Sequence, residues 1–388
     1  MDDAAPRPAE TQAAALRLAR LRLTEFRSYG AGQLEFEARA IVLTGPNGAG
    51  KTNLLEAISL LGPGRGLRAA KVADLPRAGA PAWGLAGSFE DAHGPFEIGT
   101  GQEPGGNPDR RLLRLDGEVV RTQALLAERV AAVWITPQMD RLFQEGAGGR
   151  RRFLDRLVLA LEPGHAREAA AYEHAMTSRN RLLGEGRADP AWLASLEDAM
   201  ARHAVALSAG RRAMVARLNG EHVTGDFPRA ALALECPVAT LLDEMPALAA
   251  EDRLREGWAA SRPRDAAAGG ATTGPHRSDV LFIDAARGLP AHLASTGEQK
   301  AMLVSTVLAH AALIARARGF APLLLLDEVA AHLDSGRREA LFAALLELPA
   351  QVFLTGTEEE IFAPLGKASQ GFRIGPGGTI SRTSQAGL

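Results

Sequence analysis

The sequence of 388 residues contains a single cysteine, Cys236, and only four lysines among 44 basic residues. A lone cysteine cannot form an internal disulfide, so we expect a reducing compartment. The first fifteen residues lack the apolar core of a secretory signal. The most apolar stretch, residues 301–315, is interrupted by polar residues and is too short to span a bilayer. We therefore expect a cytoplasmic protein without membrane contact.

A surplus of charge of one sign is also lacking, because the formal net charge is −2. Bulk charge thus gives no support for nucleic-acid binding. The apolar content of 46% and the charged content of 23% are ordinary for a soluble globular protein. The chain is long enough to build two or three lobes around sizeable cores.

One octet has the pattern G-x-x-x-x-G-K-[ST], the phosphate-binding loop, and consists of Gly45, Pro46, Asn47, Gly48, Ala49, Gly50, Lys51 and Thr52. Its glycines allow a tight turn whose backbone N–H groups point at phosphates. We expect Lys51 to reach the β and γ phosphate oxygens and Thr52 to ligate Mg²⁺. The β-prone run 40–44 precedes the loop and the helical pattern 52–61 follows it, which is the context the motif requires. The octet predicts binding of a nucleoside triphosphate with magnesium.

A second segment supplies carboxylates for the same chemistry. The apolar run 323–326 reads as a buried strand and is followed by Asp327 and Glu328. We expect Asp327 to orient Mg²⁺ and Glu328 to polarise the water that attacks the γ-phosphate, so the catalytic residues would be Glu328 and Lys51.

The segment 294–300, Ala-Ser-Thr-Gly-Glu-Gln-Lys, precedes a helical pattern and resembles the signature motif of ATP-binding-cassette ATPases. The resemblance implies that Ser295 and Gly297 close over the γ-phosphate of a second subunit, so that two heads enclose two ATP molecules. The alternative is a plain helix cap in which Ser295 and Glu298 form a capping box. Glu298 stands where the cassette motif usually has glutamine.

Two further positions bear on this site. Gln138 falls where the cassette's glutamine loop lies, which implies a role in sensing Mg²⁺ and the γ-phosphate; the alternative is an ordinary loop glutamine. The usual switch histidine is missing, and Thr355-Gly356-Thr357 stands in its place. We assign no γ-phosphate role to that segment.

We predict an α/β fold: an ABC-type P-loop ATPase head, with a mixed sheet flanked by helices and an antiparallel β-subdomain, and an inserted α-helical arm. The expected divisions are a disordered N-terminus (1–15), two parts of the head (16–140 and 266–377), the arm (141–265) and a tail (378–388). Helical periodicity places the arm helices at 150–161, 165–183, 191–218 and 239–258. We expect a flexible stretch at 262–273.

Several segments resemble the RecF family of bacterial recombination-mediator ATPases, in the branch of the superfamily that includes the SMC proteins. They are residues 23–29, 45–61, 150–155, 172–183 and 271–279, the last containing Gly-Pro-His-Arg. Ser278 replaces a common aspartate there. Lys51 and Asp327 are 276 positions apart, which exceeds the spacing in transporter cassettes, so a transporter ATPase subunit is the less favoured alternative.

The resemblance implies a DNA-binding clamp that forms a homodimer on ATP and binds double-stranded DNA at single-strand gaps. It further implies work with RecR and RecO to load RecA, support of replication and SOS induction, and weak ATP hydrolysis used as a switch. A nucleotide-responsive scaffold with negligible ATP turnover is the second hypothesis.

Arginine clusters are candidates for DNA contact without sequence specificity. One comprises Arg110, Arg111 and Arg114, and the other Arg150, Arg151, Arg152 and Arg156. The alternative is that these side chains are solvated or pair with acids inside the fold.

Overall fold

The computed structural model describes residues 16–186, 189–221 and 228–383. Within these residues, contacts divide the chain into two compact units. The first unit comprises 16–135, Ala311–Ala331 and 338–383, and the second comprises 136–310, with its gaps, and His332–Arg337. The predicted disordered segment 1–15 lies outside the described residues. The predicted boundaries at 140/141 and 265/266 stay predictions, because a unit defined by contacts is not a domain shown to fold alone.

The strands in the described part of the chain are β1 (Arg17–Phe26), β2 (Tyr29–Glu35), β3 (Ala40–Thr44), β4 (Gly84–Asp91), β5 (Gly94–Gly101), β6 (Leu112–Leu115), β7 (Glu118–Val119), β8 (Ala132–Ile135), β9 (Ala230–Glu235), β10 (Asp279–Asp284), β11 (Leu323–Leu326), β12 (Val352–Gly356), β13 (Ser369–Ile374) and β14 (Ile380–Arg382). The α-helices there are α1 (Lys51–Leu60), α2 (Gln123–Arg129), α3 (Ala147–Leu161), α4 (His165–Glu185), α5 (Pro190–Gly220), α6 (Pro237–Glu244), α7 (Ala247–Ala267), α8 (Thr296–Arg318) and α9 (Ser335–Glu347).

The central sheet of the first unit has the strand order β14-β13-β3-β12-β11-β8. Its four inner strands and β8 run parallel, and β3, β11 and β12 are buried throughout. Continuous apolar runs such as Leu323–Leu326 suit strands that are covered on both faces. Parallel pairing brings the carboxyl ends of β3, β11 and β12 to one edge of the sheet, so the residues that follow these strands meet there.

The second sheet of the first unit is antiparallel, with the order β2-β1-β4-β5-β6-β7. Leu21 and Leu23 of β1 are buried, whereas Arg22 between them is exposed, as expected of a sheet with one face on a core. The buried face shares a single apolar cluster with α1 and the central sheet. The predicted antiparallel subdomain and the strand, loop and helix around residues 40–61 are confirmed.

The second unit is mainly helical, but it differs from the prediction at three places. The single helix predicted at 239–258 is two helices, α6 and α7, because the residue before Pro246 is disfavoured in α geometry. The stretch predicted to be flexible at 262–273 is helical as far as Ala267. Strand β9, inside the predicted arm, pairs with β10.

Helix α8 is long and apolar enough to cross a membrane by length and composition. However, 78% of its most apolar window is buried inside the protein. It packs as a core helix of the fold.

Candidate nucleotide-binding site

The phosphate loop connects β3 to α1 in a backbone conformation that only glycine adopts easily. Gly45 and Gly50 have φ of +144° and +112°. A Cβ atom on Gly45 would collide with the Ile374 carbonyl oxygen, and one on Gly50 would lie 2.8 Å from the Tyr29 hydroxyl. Around Gly48, with φ of +79°, the space is open. The loop is therefore fixed on its protein side and accessible on the other.

Lys51 lies at the start of α1 and is buried. Its Nζ donates to the carbonyl oxygens of Gly45 at 2.7 Å and Pro46 at 3.0 Å. Burial lowers the pKa of the ammonium, and the nearby carboxylates of Glu328 and Asp327 oppose that shift. The ammonium is thus held against the loop by neutral acceptors.

Asp327 follows β11 and is bonded by two hydroxyl groups. Thr52 Oγ1 donates to its Oδ2 at 2.9 Å, and Thr355 Oγ1 donates to its Oδ1 at 2.7 Å. Thr355 also accepts a hydrogen bond from the Glu328 backbone N–H at 2.9 Å. The structure therefore joins the loop threonine to both predicted acidic residues of the first unit.

Thr355 is a site residue to which we assigned no role from sequence. It is fully buried near the end of β12, the strand between β3 and β11. A polar residue at the end of an otherwise apolar strand is the signal that could have drawn attention to it. Its hydroxyl fixes the Asp327 carboxylate and the Glu328 backbone together.

Glu328 has a backbone φ of +51°, which is uncommon outside glycine. Such strain persists only where the surroundings hold it, and it concentrates at functional sites. Here the hydrogen bond to Thr355 holds the residue at the edge of the sheet where the phosphate loop begins.

The donor set suits magnesium better than a metal that needs a full protein cage. Among the described residues, no group of three or more His, Cys, Asp or Glu side chains could hold a metal ion. Mg²⁺ commonly takes one or two protein oxygens together with substrate phosphates and water. The adjacent Thr52 hydroxyl and Asp327 carboxylate meet that requirement.

The remaining predicted site residues lie in the second unit. Ser295 is exposed just before α8, and Gly297 is in the first turn of that helix. Ser295 Oγ donates to Glu298 Oε2 at 2.9 Å, and so does the Ser295 backbone N–H, also at 2.9 Å. The Glu298 backbone N–H also donates to Ser295 Oγ at 3.4 Å, so the capping box is formed at the exposed serine.

Gln138 is exposed on the 3₁₀ helix Pro137–Arg141. In the same helix, Asp140 Oδ2 accepts a hydrogen bond from the Nζ of Lys300, a buried residue of α8, at 3.2 Å. Within the second unit, an ion pair thus connects the segment of Gln138 to the helix of the signature segment.

Most of the candidate DNA-binding arginines have structural partners. Arg111 donates to the carbonyl oxygens of Leu60, Gly62 and Gly64 at the end of α1, and burial lowers its pKa to about 10. Arg150 pairs with Asp279 at 2.7 Å. Arg151 donates to the Ser278 carbonyl oxygen, Arg156 donates to Met139 Sδ, and the exposed Arg114 donates to the Gly117 carbonyl oxygen at 3.0 Å. The exposed members are Arg110, Arg114 and Arg152.

The Gly-Pro-His-Arg segment is fixed to the arm helices by polar contacts. His276 Nδ1 and the Tyr172 hydroxyl of α4 are 2.7 Å apart. Arg211 of α5 donates to the Pro275 carbonyl oxygen at 2.7 Å and to Ser278 Oγ at 2.9 Å. Ser278, which replaces a common aspartate, is therefore a buried partner of Arg211.

The comparisons with known proteins agree with this geometry. The family model described as RecF/RecN/SMC N terminal domain matches residues 17–374. A curated protein of Rhizobium rhizogenes, named DNA replication and repair protein RecF, is 47% identical over 370 residues. That match covers 93% of this chain and 97% of the relative.

Two solved structures are similar in fold along nearly their whole length. One is described as the recombination mediator protein RecF-ATPrS in the RecFOR pathway, with a TM-score of 0.83 and 96% of this chain covered. The other is described as RecF-ATP in the same pathway, with a TM-score of 0.79 and 95% of this chain covered. Each match covers 100% of the solved chain at 21% sequence identity. Matches at this identity show the fold alone, and they confirm the predicted fold class.

Proposed function

This chain belongs to the RecF family of DNA replication and repair proteins, the family that its motifs resemble, and we propose that it is an ATP-dependent DNA-binding clamp of recombinational repair. The observation that carries the proposal is the cluster at the end of the parallel strands. There the phosphate loop, Asp327, Glu328 and Thr355 are joined by hydrogen bonds.

ATP would lie along the loop, with its phosphates cradled by the N–H groups of residues 45–50 and by the start of α1. Lys51 would bind the β and γ phosphate oxygens. Thr52 and Asp327 would hold Mg²⁺, with Gln138 as a further ligand that responds to the γ-phosphate. Magnesium would neutralise phosphate charge during transfer. The names of two structural neighbours include ATP or ATPrS, which supports this assignment.

Two copies would close on two ATP molecules, because Ser295 and Gly297 of one copy would cap the γ-phosphate bound by the other. The exposed position of Ser295 before a 23-residue helix supports this role, since helix N-termini attract anions. Glu328 would then accept a proton from the attacking water, and weak hydrolysis would release the dimer.

The closed homodimer would hold double-stranded DNA at single-strand gaps through phosphate contacts and act with RecR and RecO to load RecA in the cytoplasm. Support of replication and SOS induction would follow from that activity. The exposed Arg110, Arg114 and Arg152 are the remaining candidates for DNA contact from the predicted clusters. The family name supports this part, and so does the description of the structural neighbours as a recombination mediator protein in the RecFOR pathway.

The test is Glu328→Gln, which keeps the side chain's size and removes the proposed base. We expect the variant to form a stable dimer with ATP and Mg²⁺, but not with ADP, and to retain gapped duplex DNA. Light scattering gives the mass, and Lys51→Arg in the same background is the control that should stay monomeric. A Glu328→Gln protein that remains monomeric at saturating ATP would rule out the clamp.

One observation favours the scaffold alternative. The position of the usual switch histidine carries Thr355, whose hydroxyl is already committed to Asp327 and to the Glu328 N–H. Phosphate release measured with and without duplex DNA separates the two functions. Release that DNA stimulates supports the clamp, and near-zero release in both conditions supports the scaffold.

A further inference from the structure

We propose that the Glu298 carboxylate is an intramolecular anion that competes with the triphosphate bound by a second copy. Both anions would bind the donors of Arg287, Ser295 and Arg337, which together with Glu298 we call the signature corner. Glu298 would thereby set how much ATP is needed to close the dimer. The inference rests on the proposed ATP-closed dimer.

The donors of the signature corner converge on one carboxylate. Glu298 Oε2 accepts from the Ser295 backbone N–H and from Ser295 Oγ, each at 2.9 Å. Glu298 Oε1 lies 2.7 Å from Arg287 NH2 and 4.0 Å from Arg337 NH2. An ordinary capping box needs only the first of these bonds, together with the bond from the Glu298 N–H to Ser295 Oγ. Here three donors lie within hydrogen-bond distance of the carboxylate, and Arg337 adds an ion pair at 4.0 Å. This set would also suit the oxygens of a phosphate group.

The hydroxyl group of Ser295 has one proton to donate. In this structure Ser295 Oγ donates it to Glu298 Oε2, so that proton is not available to a γ-phosphate. The hydrogen bonds from the Ser295 N–H and hydroxyl also lower the pKa of Glu298, so the carboxylate is ionised at neutral pH. Ser295 can cap an incoming phosphate through its hydroxyl only after Glu298 releases it.

The charges around the signature corner point the same way. Arg287 also pairs with Asp284 at 2.7 Å, and Arg337 also pairs with Asp334 at 3.4 Å. Two guanidinium groups and three carboxylates leave this group of five side chains with one net negative charge. Such a group repels a triphosphate. Removing the Glu298 charge makes it neutral and leaves both arginines in place.

The experiment measures ATP-dependent dimerisation of the full chain in the Glu328→Gln background. Adding Glu298→Gln should lower the ATP concentration at half-maximal dimerisation by about threefold, because a single exposed charge pair has an effect of that order. Binding of ADP to the monomer, followed with a fluorescent analogue, should not change.

The matched control is Glu168→Gln. Glu168 also lies in the first turn of a helix, α4, and pairs with a cation, Arg167, at 3.2 Å. Its side chain is 22% exposed and that of Glu298 is 21% exposed. The control should leave the ATP midpoint unchanged.

A merely structural cap predicts the opposite sign. Loss of the Glu298 charge would then weaken α8, lower the melting temperature and leave the midpoint unchanged or raise it. Either midpoint result overturns the inference while the dimer proposal stands. If the Glu328→Gln protein itself does not dimerise with ATP, the dimer proposal and the inference are both overturned.

Discussion

The nucleotide site of the first unit and the buried polar network of the second unit use ionisable side chains in opposite ways. Arg179 on α4 is completely buried and meets carboxylates of Glu197 at 2.9 Å and Asp265 at 3.0 Å. Lys51 is also buried, but its hydrogen bonds go to carbonyl oxygens of its own loop. Arg179 is paired directly with acids inside the fold. Lys51 has neutral hydrogen-bond partners, and the Glu328 and Asp327 carboxylates lie nearby.

The two regions therefore should respond differently to loss of a cation. In the second unit the hydrogen-bond partners left behind are buried carboxylates. In the first unit they are neutral carbonyl groups, with the Glu328 and Asp327 carboxylates nearby. Substitutions of buried ionisable side chains distinguish these cases. Their effects on the free energy of unfolding are given in decreasing order.

Arg179→Ala should destabilise the protein by about 3–5 kcal/mol, the usual range when one partner of a buried ion pair is removed. Asp265 would keep hydrogen bonds from Ser261 and Thr272, and Glu197 would keep Arg262, but both would lose their innermost cation. Urea unfolding gives the change in free energy. Arg181→Ala, on the same helix with a side chain 70% exposed, is the control and should change it little. Equal effects of the two variants would contradict the role given to Arg179.

The acid sensitivity of the second unit should come in part from His310 on α8. Burial lowers the pKa of His310 to about 4, and its Nε2 hydrogen bonds to the Leu157 carbonyl oxygen. Because the folded pKa lies below the unfolded value of about 6.5, the unfolded chain binds the proton first as pH falls. Stability is therefore complete above pH ~6.5 and is lost between pH ~6.5 and ~4, by about 3 kcal/mol in total.

Unfolding free energies at a series of pH values check this prediction. In His310→Gln the slope over that interval should flatten, because glutamine can keep the bond to the Leu157 carbonyl without titrating. His174→Gln is the control, since His174 is exposed. A wild-type slope that survives in His310→Gln would show that other groups carry the pH dependence.

How far the sequence predicts each region follows from how local its contacts are. The phosphate loop depends on eight consecutive residues, and the strand before it and the helix after it are read from nearby periodicity, so all three were predicted correctly. Thr355 lies 28 positions from Asp327, and only the pairing of β12 with β11 brings them together. No sequence motif or fixed spacing predicts that contact.

The arginines show the same limit from the other side. Arg111 and Arg150 look alike in sequence as members of basic runs, yet one caps the end of α1 and the other pairs with Asp279, 129 positions away. A run of basic residues in the sequence gives the number of cations, but it does not predict their partners in the fold. By contrast, the break between α6 and α7 was readable, because Pro246 stands at the break.

Of the substitutions compared, Lys51→Met is expected to change stability least. Burial lowers the pKa of Lys51, which means that the folded state disfavours the charged form relative to water. An apolar side chain of similar length removes that penalty. It also removes the favourable interaction of the ammonium with Glu328 and Asp327 and leaves two loop carbonyl groups without a donor. We expect the free energy of unfolding to change by less than about 1 kcal/mol, in either direction. Binding of a fluorescent ATP analogue should nevertheless be lost, because the cation facing the phosphates is gone. A loss of stability as large as that of Arg179→Ala would mean that Lys51 is a structural cation after all, and the contrast between the two regions would fail.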